Sequence, residues 1–228
     1  MYCFGIDVGG TTVKCGLFQT DGTLVEKWEI PTRKENKGEY ILPDVAETIQ
    51  NKISEKGIDK AEVAGVGVGI PGPINAQGEA ACAVNLYWGF RPVAKELSEL
   101  TGLTAKAGND ANVAALGEAW KGAAAGSQNV IMVTLGTGVG GGIISDGRIV
   151  AGAHGAGGEI GHANICHEET VDVWCSMLLQ QELSAWPKRL WQKAVRTVCS
   201  EIQRALRRRT YWMPLSQGML LLSVLWMK

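Results

Sequence analysis

The residues closest to the start of the chain that could do chemistry lie in a short turn between two apolar segments. The segment Tyr2–Ile6 leads into Asp7-Val-Gly-Gly-Thr-Thr-Val-Lys14, and a second apolar segment, Val13–Phe18, follows almost at once. Two strands this close together predict a hairpin. Glycines let a backbone approach a ligand, and successive N–H groups bind anions. The turn is therefore predicted to bind phosphate, with Mg²⁺ held by Asp7 through water and with added charge from Lys14; an ordinary glycine turn is the alternative.

A second hairpin of the same kind follows later in the chain. The predicted strand Val130–Leu135 precedes the glycine turn 136–142, and the strand Ile143-Ile144 follows it. Two such hairpins can hold a polyphosphate from two sides. This arrangement resembles the plan of the actin-like ATPase and sugar-kinase fold.

A carboxylate between the two hairpins is the candidate for acid–base chemistry. It stands in Gly108-Asn109-Asp110-Ala-Asn112, at the start of a predicted helix. A carboxylate beside an amide suits a general base that grips a sugar hydroxyl. The alternative is an ordinary helix cap formed by Asn109 or Asp110.

Strands and helices alternate around these segments and predict an α/β protein. The small residues of one predicted strand, 63–70, indicate close packing against a helix. Glycines at 57 and 102 are expected to end two of the helices. The further predicted strands are Leu24–Ile30 and Val63–Ile70, and the predicted helices are Ile41–Lys56, Arg91–Leu100 and Asp110–Lys121.

Composition limits the class of protein. The 228 residues are 46% hydrophobic and 20% charged, which is typical of a globular protein, and the net charge of −1 gives no electrostatic argument for nucleic acid. No apolar run is long enough to span a bilayer, and Asp7 interrupts any signal peptide, so a cytoplasmic location is expected. The six cysteines show no paired spacing, which favours free thiols in a reducing compartment.

Six motifs in a fixed order make the chain resemble the ROK family, which contains bacterial glucokinases, other hexose kinases and sugar-responsive repressors. The resemblance covers residues 1 to about 170. The motifs are Asp7-x-Gly-Gly-Thr-x-x-Lys14, Gly67-x-Gly-x-Pro71-Gly, Asn85-Leu86, Asn109-Asp110-x-Asn112, Thr134-Leu-Gly-Thr-Gly-x-Gly and Gly158-Glu-Ile-Gly-His162.

The resemblance implies roles for individual residues in ATP-dependent phosphorylation of a hexose, with glucose as the first expectation. Asp110 matches the family's catalytic base. Residues matching those that hold the sugar hydroxyls are Asn85, Asn109, Asp110, Glu159 and His162. Residues matching the first phosphate segment are Asp7, Gly9, Gly10, Thr11, Thr12 and Lys14, and those matching the second are Gly136, Thr137 and Gly138.

The same resemblance implies ATP with Mg²⁺ and two lobes that close over the sugar. The N-terminal lobe is expected at residues 1–115 and the start of the C-terminal lobe at 116–170. Family members are often homo-oligomers. Mannose, fructose, allose and N-acetylated hexosamines remain alternative substrates, and Tyr87-Trp88 is either a specificity element or ordinary packing.

In the family, the residue that His162 matches is also a zinc ligand, completed by three cysteines in a following C-x-C-G-x-x-G-C segment. That set of one His and three Cys is a closed structural site. Here the segment is absent: Cys166 has the wrong spacing and Cys175 alone is near. Zinc is therefore not expected to bind to this chain.

Residues 171–228 differ in composition from the rest of the chain. They hold one of the 30 glycines, five of the eight tryptophans, and nine basic against three acidic residues. If each codon after Thr170 is read from its third nucleotide, residues 171–188 can become GCLVQYAVATGIVRLAK, where the family pattern looks like GCLEQYASATGIVRLA. Residues 209–228 can become DVLDAAKPGDAFALSVVDE, which resembles the family's DVxxAAKxGDxxALxVxDE.

We therefore interpret 171–228 as an out-of-frame tail without a native fold; a natural basic tail is the alternative. Its run Met219–Trp226 is expected to be exposed and aggregation-prone. The chain as written is expected to be poorly stable and weakly active or inactive. A second reading is a sugar-binding or sensing fragment without catalysis, whereas a ROK repressor would need a helix-turn-helix before Asp7.

Overall fold

The computed structural model describes residues 1–135, 139–162, 164–167, 170–173 and 219–223. The chain divides into two compact units. The first comprises Met1–Ala114 and Ala151–Gly157, and the second comprises Ala115–Val150 and Gly158–Lys228. No helix in the described part of the chain has the length and apolar character needed to cross a membrane.

The first unit is built on a five-stranded sheet with the strand order β3-β2-β1-β4-β5. The strands β1, β2 and β3 form an antiparallel meander, and β4 and β5 join the sheet parallel to β1. The bounds are β1 Tyr2–Val8, β2 Thr12–Gln19, β3 Leu24–Pro31, β4 Val63–Ile70 and β5 Ala105–Asn109. The first glycine turn thus connects β1 to β2, as the hairpin pattern predicts.

In the part of the chain that the structure describes, the α-helices are α1 Glu35–Gly38, α2 Ile41–Lys56, α3 Val93–Thr101 and α4 Asp110–Lys121. The helix α2 has the predicted bounds, and its apolar face is buried in the core of the first unit. Gly57 follows it in the left-handed conformation, with its N–H donated to the carbonyls of Ile53 and Ser54. The helix therefore ends at Gly57, as predicted. Glycine is favoured at this position because the left-handed conformation strains any residue with a Cβ.

The predicted start of α3 is wrong by two residues. Arg91 is not helical; its N–H donates to the carbonyl of Ala80 at 3.0 Å, and its carbonyl accepts from the N–H of Ala80 at 2.9 Å. Pro92 then occupies the N-cap position, and the helix begins at Val93. The long-range bridge to Ala80 therefore overrides the local helical pattern.

Close packing between β4 and α4 is confirmed at Gly69. A Cβ at this position would lie 3.0 Å from the side chain of Val113 and 3.5 Å from the Cα of Asp110. A second glycine, Gly108, would meet Val113 at the same distance of 3.0 Å. The two glycines let the first turn of α4 sit directly on the ends of β4 and β5.

The second unit contains a four-stranded sheet with the order β11-β6-β7-β8 and a separate hairpin of β9 and β10. The strands are β6 Val130–Leu135, β7 Val139–Ser145, β8 Arg148–Ile149, β9 Asn164–His167, β10 Thr170–Val173 and β11 Met219–Ser223. Residues 139–142 were predicted as turn, but they are part of β7, which pairs with β6 along its length. Gly141 is needed there because a Cβ would lie 2.5 Å from Ile160.

Part of the predicted tail takes a place in this second sheet. Met219–Ser223 forms β11, paired parallel with Val130–Thr134 of β6. The expected exposure of Met219–Trp226 stays a prediction, because the burial of these side chains lies outside what the structure describes. The rest of 174–228 lies outside the described residues, so the interpretation of the tail as a whole stays a prediction.

Candidate functional site

The strand register brings the candidate phosphate turn and the candidate base to one edge of the first sheet. Asp7 at the end of β1 pairs with Gly69 of β4, and Gly69 pairs with Gly108 of β5. Neighbouring strands are about 4.8 Å apart, so the Cα atoms of Asp7 and Gly108 are separated by roughly 10 Å across this edge. Asn109 and Asp110 follow Gly108 directly. Parallel strands that end together form the usual ligand-binding edge of an open α/β sheet.

The phosphate turn is closed by its own backbone and held by a residue outside it. The N–H of Gly9 donates to the carbonyl of Thr12 at 3.0 Å. Thr32 then donates twice: its N–H to the carbonyl of Thr11 at 2.9 Å and its Oγ1 to the carbonyl of Gly9 at 2.8 Å. Both ends of the turn are thereby fixed. Sequence reasoning missed Thr32 because a single threonine in a polar connection carries no periodic signal.

Two opposite charges face each other across the hairpin. Asp7 and Lys14 are paired in the β1–β2 register, and both side chains keep exposed surface. Partial burial raises the pKa of the Asp7 carboxyl above its ordinary value, and the charge of Lys14 offsets part of that rise. A carboxylate whose desolvation is not fully compensated is one that a nearby hard cation would stabilise, which fits Asp7 as a Mg²⁺ residue.

Asn109 is the N-cap of α4. Its Oδ1 accepts the N–H of Asn112 at 3.0 Å, and its Nδ2 donates to the carbonyl of Gly72 at 3.2 Å. The side chain is only 9% exposed. The cap predicted for Asn109 or Asp110 is thus formed by Asn109, and the role of Asn109 toward a sugar stays a prediction.

Asp110 begins α4 and is half-buried. Its Oδ1 accepts the N–H of Ala111 at 2.8 Å. The role of Asp110 as general base stays a prediction. Beside it, the Oδ1 of Asn112 is buried and has no hydrogen-bond partner among the described residues.

Asn85 is exposed on a tight loop that lies against the phosphate turn. It belongs to the 3₁₀ segment Val84–Leu86, and its carbonyl would lie 3.9 Å from a Cβ built on Gly10. The loop is closed by paired backbone hydrogen bonds between Ala83 and Trp88, of 3.0 and 3.1 Å. Asn85 is therefore presented on the same edge of the sheet as the turn.

Tyr87 and Trp88, predicted to be either a specificity element or ordinary packing, have different surroundings. Trp88 is 5% exposed and donates its Nε1–H to the carbonyl of Gly38 at 3.0 Å, so it packs. Tyr87 is 63% exposed and has the left-handed backbone, with φ of 59°. The Lys34 Nζ lies 5.7 Å from its ring centroid. Tyr87 stays a candidate specificity residue.

Glu159 and His162 lie together in the second unit. The 3₁₀ segment Ile160–His162 places the His162 Nε2 4.0 Å from a carboxylate oxygen of Glu159, and Ile160 is buried beneath. Across the described ranges, no group of three or more His, Cys, Asp or Glu residues could hold a metal ion. The side chains of Cys166 and Cys175 lie outside the described residues, so the expectation that zinc does not bind stays a prediction. Gly136, Thr137 and Gly138 lie outside the described residues.

Comparison with known proteins gives one consistent family. The model of the ROK family matches residues 3–177. A glucokinase of Halalkalibacterium halodurans is 45% identical over 165 residues, which are 72% of this chain and 50% of that protein. An N-acetyl-D-glucosamine kinase of Aliivibrio fischeri is 35% identical over 177 residues, covering 75% of this chain and 54% of the relative.

A solved structure agrees with these relatives. The ROK family glucokinase from Streptomyces griseus, in complex with glucose and AMPPNP, is 30% identical, with a TM-score of 0.61 over 73% of this chain and 51% of that one. The predicted α/β fold of the actin-like sugar kinases is confirmed by this likeness. The chain spans about half the length of the relatives it matches. On the family match and these likenesses together, the chain belongs to the ROK family.

Proposed function

We propose that the residues of this chain are those of an ATP-dependent hexose kinase, with glucose as the first substrate to test. The observation that carries the proposal is the register Asp7–Gly69–Gly108, which sets the phosphate turn and Asp110 on one sheet edge. The separation of roughly 10 Å between the Cα atoms of Asp7 and Gly108 leaves room for a hexose and the transferring phosphoryl group. The glucokinase and N-acetyl-D-glucosamine kinase relatives support a sugar as the acceptor.

In this proposal, Asp110 accepts the proton of the sugar hydroxyl that attacks the terminal phosphoryl group. Asn85, Asn109, Glu159 and His162 hold the other hydroxyls. The N–H groups of the turn at Gly10 and Thr11, with Lys14, bind phosphate oxygens, and Gly136, Thr137 and Gly138 are assigned to the second phosphate segment. Positioning and charge stabilisation supply most of the rate in such transfers.

Asp7 is the residue assigned to Mg²⁺ by its place at the end of β1 and by its incompletely compensated burial. The ion would neutralise charge that develops on the phosphate oxygens. No step is assigned to zinc.

The second reading is a ROK domain that binds a hexose without turning it over. Its support is the sequence of residues 171–228, which lacks the family's cysteine segment. Both proposals use the same residues to bind the hexose, and they differ only in whether a phosphoryl group is transferred to it.

The test is ADP release by the purified 228-residue chain with MgATP and a panel of glucose, mannose, fructose, allose and N-acetylglucosamine. Asp110→Asn should lower turnover by about 10²–10⁴-fold, the usual contribution of a general base. Asp59→Asn is the matched control, since Asp59 also accepts a helix-start N–H, that of Ala61 at 2.9 Å, elsewhere on the unit.

Calorimetric binding of the same sugars separates the two readings. Turnover that falls in Asp110→Asn and not in Asp59→Asn supports the kinase. Sugar binding without any turnover supports the second reading for this chain. Equal loss in both variants, or no binding of any hexose, contradicts the assignment of the site.

A further inference from the structure

The segment Thr32–Gly38 connects the phosphate turn to the loop that carries Asn85. At its first residue, Thr32 is hydrogen-bonded to the carbonyls of Gly9 and Thr11. Six residues later, the carbonyl of Gly38 accepts two side-chain donors from the other loop. These are Trp88 Nε1–H and Arg91 Nη1–H, each at 3.0 Å. We call residues 32–38 the strap.

The Gly38 end of the strap fits its partner so closely that no side chain is accommodated. Gly38 is buried with φ of +69°. A Cβ there would lie 2.6 Å from the carbonyl oxygen of Leu86 and 2.6 Å from Trp88 Nε1. Glycine is therefore required both by the left-handed backbone and by the close approach.

The two donors to Gly38 are themselves fixed. The Arg91 guanidinium lies 4.5 Å over the Trp88 ring, and its Nε–H donates to Glu96 at 2.7 Å. Trp88 in turn closes the loop through its backbone pair with Ala83. A shift of the Gly38 carbonyl would therefore displace Trp88 and the loop 83–88 that it closes, including Asn85.

We propose that the strap makes Thr32 and Gly38 positioning residues, which hold the phosphate turn and the Asn85 loop in one register and couple sugar binding to nucleotide binding. The coupling rests on the proposed kinase function, whereas the mechanical link does not. Because coupling between two sites is reciprocal, loosening either end of the strap should loosen the other.

The first test measures the mechanical link without ligand, by amide hydrogen exchange of the full chain. Thr32→Val removes the hydroxyl bond to Gly9, and Trp88→Phe removes the indole donor to Gly38. Thr32→Val should speed exchange at Ala83 and Trp88 by about three- to tenfold, and Trp88→Phe should do the same at Gly9. Thr32→Ser keeps a hydroxyl and should restore the wild-type rates.

Two matched controls remove an equivalent hydrogen bond elsewhere. Trp28 Nε1–H donates to Thr48 Oγ1 at 2.9 Å, between β3 and α2. Trp28→Phe and Thr48→Val should leave exchange at both Gly9 and Ala83 within about twofold of wild type. Changes confined to the mutated end of the strap, or equal changes in the controls, would overturn the proposal.

The second test measures glucose affinity by calorimetry with and without a non-hydrolysable ATP analogue. In the wild-type chain, the analogue should tighten glucose binding by about five- to tenfold, and Thr32→Val and Trp88→Phe should bring this factor toward one. An unchanged factor overturns the coupling. If the wild-type chain binds no hexose, the proposed function fails, and the exchange experiment still decides whether the strap exists.

Discussion

Asn109 offers the sharpest test of how this site is built, because the structure gives it a structural task besides its predicted role toward sugar. Its side chain caps α4 through Asn112 and ties the helix start to Gly72. Asn85 has the same predicted role but is exposed. Replacing each by alanine should therefore give different stabilities, although both replacements should weaken hexose binding.

The expected cost of Asn109→Ala follows from the two hydrogen bonds that it removes. Loss of an N-cap side chain costs about 0.5–2 kcal/mol, and loss of a buried hydrogen bond costs about 0.5–1.5 kcal/mol. The free energy of unfolding of the first unit should therefore fall by roughly 1–3 kcal/mol, against a total stability on the order of 5–15 kcal/mol. Asn109→Asp keeps the cap acceptor but turns the donor to Gly72 into an oxygen that faces the Gly72 carbonyl on a buried side chain, so it should cost at least as much as Asn109→Ala.

Urea unfolding followed by circular dichroism measures these differences. With a slope of about 1–3 kcal/mol per M, a loss of 2 kcal/mol moves the midpoint by roughly 1 M. Asn85→Ala should stay within about 0.5 kcal/mol of wild type, as exposed substitutions usually do. Equal midpoints for Asn85→Ala and Asn109→Ala would refute the argument that Asn109 holds the start of α4.

Three further outcomes test the electrostatics and packing of the units. Asp7→Asn should weaken Mg²⁺-nucleotide binding and leave the free energy of unfolding equal or higher at neutral pH. Because the pKa of Asp7 is raised in the folded state, its carboxylate lowers the free energy of unfolding at every pH above that folded pKa. In urea titrations this destabilisation should vanish as the pH falls below the ordinary Asp range. Burial raises the pKa of the Cys15 thiol to about 12, so thiol labelling followed by mass mapping should modify exposed Cys82 quickly and Cys15 only on unfolding. Gly141→Ala should destabilise the second unit by about 1–3 kcal/mol through overlap with Ile160, and adding Ile160→Val should recover part of that loss in thermal melts.

Local sequence patterns predicted the elements whose limits are set locally. The helix α2 begins and ends where its apolar period and Gly57 indicate, and α4 begins at its asparagine cap. The turn between β1 and β2 followed from the glycines at 9 and 10. In each of these cases, the deciding interaction joins residues within one helical turn or one hairpin.

The features that sequence reasoning missed depend on contacts between distant residues. The backbone hydrogen bonds between Arg91 and Ala80 move the start of α3 to Val93. The close approach of Ile160 requires a glycine, Gly141, inside β7. Thr32 and Gly38 act on residues about 20 and 50 positions away. These partners lie 11 to 50 positions apart, beyond the spacings at which helix and strand periodicity relate residues, so only the fold could reveal them.

The reading frame of residues 171–228 has its own decisive test. Trp and Met have single codons, so in the alternative frame Trp186-Pro187 must give Ala and Trp226-Met227 must give Asp, and both agree with the family pattern. We expect a fresh DNA read across codons 160–228 and beyond to find that frame open, with the cysteine segment restored ahead of it. The longer protein should then be a more stable and more active kinase than the printed chain, because its second lobe would regain a packed core. If the DNA read instead confirms the given frame through codon 228, the out-of-frame interpretation is refuted and β11 belongs to the native sequence.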